Sequence, residues 1–206
     1  MELRAQLIEF ILLTLTVSLS GVMAPGPMSA VAMNHGTQQR FAGLFIASGH
    51  AFVELPLIGA LFFGIGFISR FSSLTAYITL AGSIVLFILG TVTIRDIRKQ
   101  ITIAHHSPLI DGIVLSAFNP YFFIWWFTIG LSLIQKSVVF GLYGLVIFSI
   151  LHVACDYVWL FLLSMVSFAG ASFLGKQFKT AVSIITVVML YSFGAYFLYD
   201  ALRQIL

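Results

Sequence analysis

Six long apolar stretches, at about 6–33, 42–67, 74–94, 110–134, 138–167 and 180–202, occupy most of this 206-residue chain. Each is long enough to cross the hydrocarbon core of a bilayer as a helix, which takes about 20 apolar residues. Ten basic and seven acidic side chains are all that could face water, while 60% of the residues are hydrophobic and the mean hydropathy is +1.08. So few charges cannot wrap a core of this size in a polar shell, so the solvent of the fold is lipid. A nucleic-acid partner, which a net charge of +3 could suggest, is set aside because Lys and Arg occur one to three at a time and form no patch. The expected fold is an all-α integral membrane protein, one transmembrane domain over residues 1–206, with the bilayer as its first partner.

The longest polar connection runs over about 95–109, from Arg95-Asp96-Ile97-Arg98-Lys99-Gln100 to His105-His106-Ser107-Pro108, and divides the chain into halves at about 6–94 and 110–202. Alternating sides along six spans places Arg40, Arg95, Arg98, Lys99, Lys176 and Lys179 together, against Arg4, Arg70, Lys136 and Arg203. The positive-inside rule then makes the central loop cytoplasmic and puts both termini outside, in a cell membrane. A cleavable signal peptide is a poorer reading of the first stretch, because Glu2 and Glu9 weaken its basic start and it runs past the usual hydrophobic length. The single cysteine, Cys155, excludes an internal disulfide or a Cys-based metal site.

Two of the stretches are interrupted. Ala24-Pro25-Gly26-Pro27 falls inside the first, where each proline removes an amide donor and clashes with the preceding turn. Freed backbone groups at membrane depth are tolerated only inside protein or along a wet cavity, so Pro25, Gly26 and Pro27 point to an interior site, a simple kink being the alternative. Phe118-Asn119-Pro120 interrupts the fourth stretch, and the Asn119 amide serves either to bind or to cap the broken helix.

Glu54 is the only charge inside the second stretch and Asp156 the only one inside the fifth. A carboxylate at the bilayer centre costs about 2.5–3.5 kcal/mol on insertion scales, which makes both functional candidates. Each follows a histidine by four residues, in His50-Ala51-Phe52-Val53-Glu54 and His152-Val153-Ala154-Cys155-Asp156, and both pairs are 102 residues apart (50 to 152, 54 to 156). Four residues is one helical turn, so each half presents an imidazole and a carboxylate on one stripe. With the proline breaks, the halves share one order of features, as a duplicated three-helix unit would; three being odd, the second copy enters the membrane inverted, with its site near the midplane. The two acids could exchange protons with the histidines as relays, or could simply hold helices together.

At these residues the chain resembles the LysE family of translocators, also called the lysine exporter or RhtB-type amino-acid efflux family. Pro25-Gly26-Pro27, Arg40, Ala42-Gly43-Leu44 with Gly49 and an acid at 54, Asn119-Pro120 and Asp156-x-x-Trp159 carry the resemblance. It implies six helices and a secondary exporter, not an enzyme, moving amino acids or related small metabolites with protons and without a cofactor. Met28, where a polar residue usually follows Pro-Gly-Pro, and Glu54, where Asp is usual, depart from that pattern and leave the substrate open. The candidate pathway comprises Pro25, Gly26, Pro27, His50, Glu54, Asn119, Pro120, His152, Asp156 and Trp159. A second reading makes His50, Glu54, His152 and Asp156 ligands of an exported divalent metal. Trp125, Trp126 and the C-terminal tyrosines read as interface anchors or packing, and small residues such as Gly82, Gly90, Gly141, Gly144 and Gly194 would permit close helix approach, including homodimerisation. Gly170–Gln177 mimics a phosphate loop but has Gln177 where magnesium needs Ser or Thr.

Overall fold

The computed structural model describes residues 2–24, 26–64 and 107–205, together with 77, 80, 81, 83–88, 90, 91, 94 and 95. All regular structure among them is helical. Helix α1 spans Glu2–Val22, α2 Pro27–Gly36, α3 Ala42–Phe63 and α4 Pro108–Ala117. Helix α5 (Pro120–Trp125) runs through a π-helical turn at Trp126–Gly130 into α6 (Leu131–Ser137). A 3-10 turn at Val138–Phe140 leads to α7, Gly141–Ile205, which is broken at Gly175.

Leu3–Val22, Ala42–Phe63, Leu131–Phe178 and Thr180–Arg203 are long and apolar enough to cross a bilayer. Most of the central loop and much of the expected third stretch lie outside the described residues, as does Gly82. Both interruptions are present. α1 stops at Val22 and α2 restarts at Pro27, whose missing amide costs nothing at the first helical position. α4 stops at Ala117, and α5 restarts at Pro120 behind Asn119, whose side-chain oxygen accepts from the Tyr121 amide at 3.0 Å. Pro56 lies within α3, two residues past Glu54, and withdraws the amide that would have bonded the Phe52 carbonyl.

Gly141 and Gly175 have φ of 59° and 62°, a backbone conformation that suits glycine alone, and each begins a new helical arm. The second turn reverses the chain. Asp156 and Phe197 line one cavity, whereas a straight helix would hold them about 60 Å apart at 1.5 Å per residue. Gly170–Gln177 is therefore an interhelical corner with no strand before it, and no phosphate loop forms.

The packing falls into two apolar clusters. One joins Val31 and Ala32 of α2 to Ile46, Leu86, Leu115, Leu160, Leu190 and Phe197. The other joins Phe10 of α1 to Ile58, Leu61, Phe122, Trp126, Ile134 and Phe148. Glu54 lies between Ile46 and Ile58 on α3, and Asp156 between Phe148 and Leu160 on α7, so the polar residues occupy the seam between the clusters. Outward faces are apolar: Phe52 is 71% and Phe173 93% exposed, as lipid contact requires. Glycines let backbones meet at the seam. A Cβ on Gly49 would overlap the Leu109 carbonyl, one on Gly112 that of Ile46, and one on Gly43 that of Leu160.

Candidate functional site

α3 and α7 bring the two His-x-x-x-acid pairs against each other. His50, Glu54, His152 and Asp156 are all buried, Glu54 to 1% exposure. Glu54 Oε1 is shared, 3.1 Å from Nε2 of His50 on its own helix and 3.2 Å from Nε2 of His152 on α7. Asp156 stands farther off, with Oδ1 3.9 Å from His50 Nε2 and Oδ2 3.9 Å from His152 Nε2. Glu54 Oε2 and Asp156 Oδ2 have no hydrogen-bond partner among the described residues. Buried carboxylate oxygens without partners are costly, so both are available to a proton or a cationic group.

Each imidazole is held from behind by a serine of a distant helix. His50 Nδ1 lies 2.7 Å from Ser116 Oγ on α4, and His152 Nδ1 lies 2.7 Å from Ser18 Oγ on α1. Aromatic rings close the remaining sides. Trp125 and Phe148 stack on His152 with centroids 4.9 and 5.7 Å away, Trp126 meets it edge-on at 5.1 Å, and Phe122 meets His50 edge-on at 5.3 Å.

The four residues line a cavity of about 350 Å3, within the range of small-molecule sites. Gly26, Pro27 and Asn119 line it too, so both helix breaks open onto the place where the acids meet. Ser29, Met28 and an aromatic wall that includes Phe122, Trp125, Trp126, Phe193 and Phe197 also line it, and neither Lys nor Arg contributes among the described residues. Pro120 begins α5 behind Asn119, Pro25 lies outside the described residues, and Trp159 lies outside the lining, its buried Nε1 without a partner among the described residues. His50, Glu54 and Asp156 each offer a ligand atom, all within 4.8 Å of one another, so the geometry also accommodates a divalent cation.

Several participants were invisible to sequence reasoning. Ser18 and Ser116 are ordinary residues in apolar helices, and only a fold brings them to histidines 134 and 66 positions away. A second buried pair, His35 Nε2 and Asp111 Oδ2 at 2.7 Å, joins the C-terminal end of α2 to the first turn of α4. Nothing local links those two residues; the signal available was that Asp111 is an acid in an apolar helix, as Glu54 is.

The fold and cavity define a polytopic helical membrane protein with a buried acid–histidine site. The model of the LysE type translocator family matches residues 19–201, and the chain belongs to that family of membrane transporters. No curated protein and no solved structure matches it.

Proposed function

We propose that the protein is a secondary active exporter of amino acids or related small metabolites, driven by protons that exchange at Glu54 and Asp156. The observation that carries this reading is the meeting of two carboxylates and two imidazoles, all buried, in a cavity onto which both broken helices open. Oxygens Glu54 Oε2 and Asp156 Oδ2 take a proton or the ammonium group of the cargo in turn, and the broken ends at Gly26 and Asn119 offer backbone groups to its carboxylate.

In this reading the chain forms six spans as two inverted three-helix repeats, about 6–94 and 110–202, in a cell membrane, with the connecting loop cytoplasmic and both termini outside. Crossed bonding supports the repeat: His50 of the first half is held by Ser116 of the second, and His152 of the second by Ser18 of the first. A binding site built across the seam is one that a rocking of one half against the other would expose alternately to each side.

A divalent metal as cargo is the second reading, favoured by the three ligand atoms within 4.8 Å. One experiment separates the two. Purified protein is reconstituted in liposomes that enclose a pH-sensitive dye, and a panel of amino acids and divalent metals is screened for coupled proton movement. Proton movement with an amino acid, lost in Glu54→Gln and Asp156→Asn, is the expected result. A signal with metals alone would favour the second reading, and undiminished, still pH-dependent transport in both variants would remove the carboxylates from the mechanism.

A further inference from the structure

His50 and His152 occupy matching places in the sequence, but their serines treat them differently. Ser116 donates its hydroxyl hydrogen to the Gly112 carbonyl one turn back, at 2.6 Å. With that hydrogen committed, Ser116 Oγ can only accept from His50, so the 2.7 Å contact is a bond donated by His50 Nδ1–H. Nε2 of a neutral His50 would then turn a bare lone pair on Glu54 Oε1 at 3.1 Å, an acceptor facing an acceptor. A proton must lie between them, on the ring as imidazolium or on the carboxyl.

Ser18 is placed otherwise. It is fully buried, and among the described residues its hydroxyl has one partner, His152 Nδ1 at 2.7 Å. A buried hydroxyl with one available acceptor donates to it. That leaves the His152 ring proton on Nε2, from which it bonds Glu54 Oε1 at 3.2 Å with no further proton needed.

We infer that Ser116 and Ser18 are positioning residues that give the two histidines opposite tautomers. His50, protonated at Nδ1, shares one exchangeable proton with Glu54, while His152, protonated at Nε2, is the fixed donor that holds Glu54 in place. The groups facing His50 are Glu54 from its own helix, His152 and Asp156 from α7, Ser116 from α4 and the Phe122 ring from α5; of the two carboxylates, Glu54 stands 3.1 Å from Nε2 and Asp156 3.9 Å. The His50–Glu54 contact is therefore where the proton resides. The tautomers follow from hydrogen-bond geometry alone; their consequence for coupling rests on the transport function proposed above.

The test is nitrogen NMR of the full-length protein labelled at histidine, in liposomes, with His50→Gln and His152→Gln to assign the signals. The wild type should show His50 carrying a proton at Nδ1 and His152 carrying its proton at Nε2 alone. Ser116→Ala frees His50 to take the Nε2–H tautomer, so its Nδ1 proton should be lost while His152 is unchanged, and Ser116→Thr should restore the wild-type pattern. Like tautomers for both rings in the wild type, or a His50 signal indifferent to Ser116→Ala, would overturn the inference. In transport, Ser116→Ala should lower the protons moved per cargo molecule, with Ser116→Thr recovering them; an unchanged ratio would refute the coupling role. A protein that moves no protons at all but shows the two tautomers would defeat the transport reading and leave the assignment standing.

Discussion

Gly112→Ala tests whether the seam between α3 and α4 sets the geometry of the site. The Gly112 Cα faces the Ile46 backbone, and an added Cβ would overlap the Ile46 carbonyl oxygen while standing 3.0 Å from its carbon; Gly49 faces Leu109 in the same way, so neither helix of the contact can yield by a side-chain rotation. Restoring ordinary van der Waals separation moves α4 away from α3 by about 1 Å. Ser116 is one turn along α4, and such a shift stretches its 2.7 Å bond to His50 beyond hydrogen-bonding range. Overpacking costs about 1–3 kcal/mol and an unmade buried hydrogen bond about 1–3 kcal/mol. The sum, roughly 2–6 kcal/mol, corresponds to a fall in melting temperature of about 4–24 °C for a chain of this size. Transport should fall more steeply than stability, because an error of about 1 Å in a site can cost on the order of 100-fold. Thermal unfolding in detergent and liposome flux measure the two effects. A melting temperature within about 2 °C of wild type, with full transport, would refute the claim that this glycine contact positions His50.

Other predictions follow from features outside the four central residues. Asp111→Asn removes the charge that His35 meets at 2.7 Å between α2 and α4 and should cost about 1–3 kcal/mol, read as a lower melting temperature; an unchanged one would mean the pair holds nothing together. Gly175→Ala forces an L-residue to φ 62°, ψ −139° at the corner of α7 and should cost about 1–3 kcal/mol, with a matching loss of folded protein in detergent. A reporter fused after Leu206 should report an external C-terminus, and cytoplasmic activity of the fusion would reverse the orientation proposed from the basic residues.

The features that were legible in the sequence are those with a local physical cause. Pro25-Gly26-Pro27 and Asn119-Pro120 announce helix ends because proline lacks the amide a helix needs, and helices stop before both. Glu54 and Asp156 stand out because a charge in an apolar helix demands an explanation, and the four-residue interval already placed each beside a histidine. What could not be read was the partner of each group. Nothing in an apolar helix distinguishes Ser18 or Ser116, which reach a distant histidine, from serines that bond a carbonyl of their own helix, as Ser20 and Ser149 do to Val17 and Leu145. Trp125 and Trp126 read as anchors or packing because tryptophan so often serves there, whereas the structure sets both in the cavity wall against His152. Turn positions in the second half were only approximate, because Gly141 and Gly175 mark their corners by backbone conformation and not by any charge.

In the proposed mechanism cargo and protons move together through the buried cluster. Its most direct test fixes a cargo gradient across liposomes holding the purified protein, varies the pH difference, and finds the point at which net cargo flux is zero. Coupling predicts that this balance point shifts with the imposed pH difference in the wild type and becomes insensitive to it in Asp156→Asn. A balance point set by the cargo gradient alone in the wild type would contradict proton coupling.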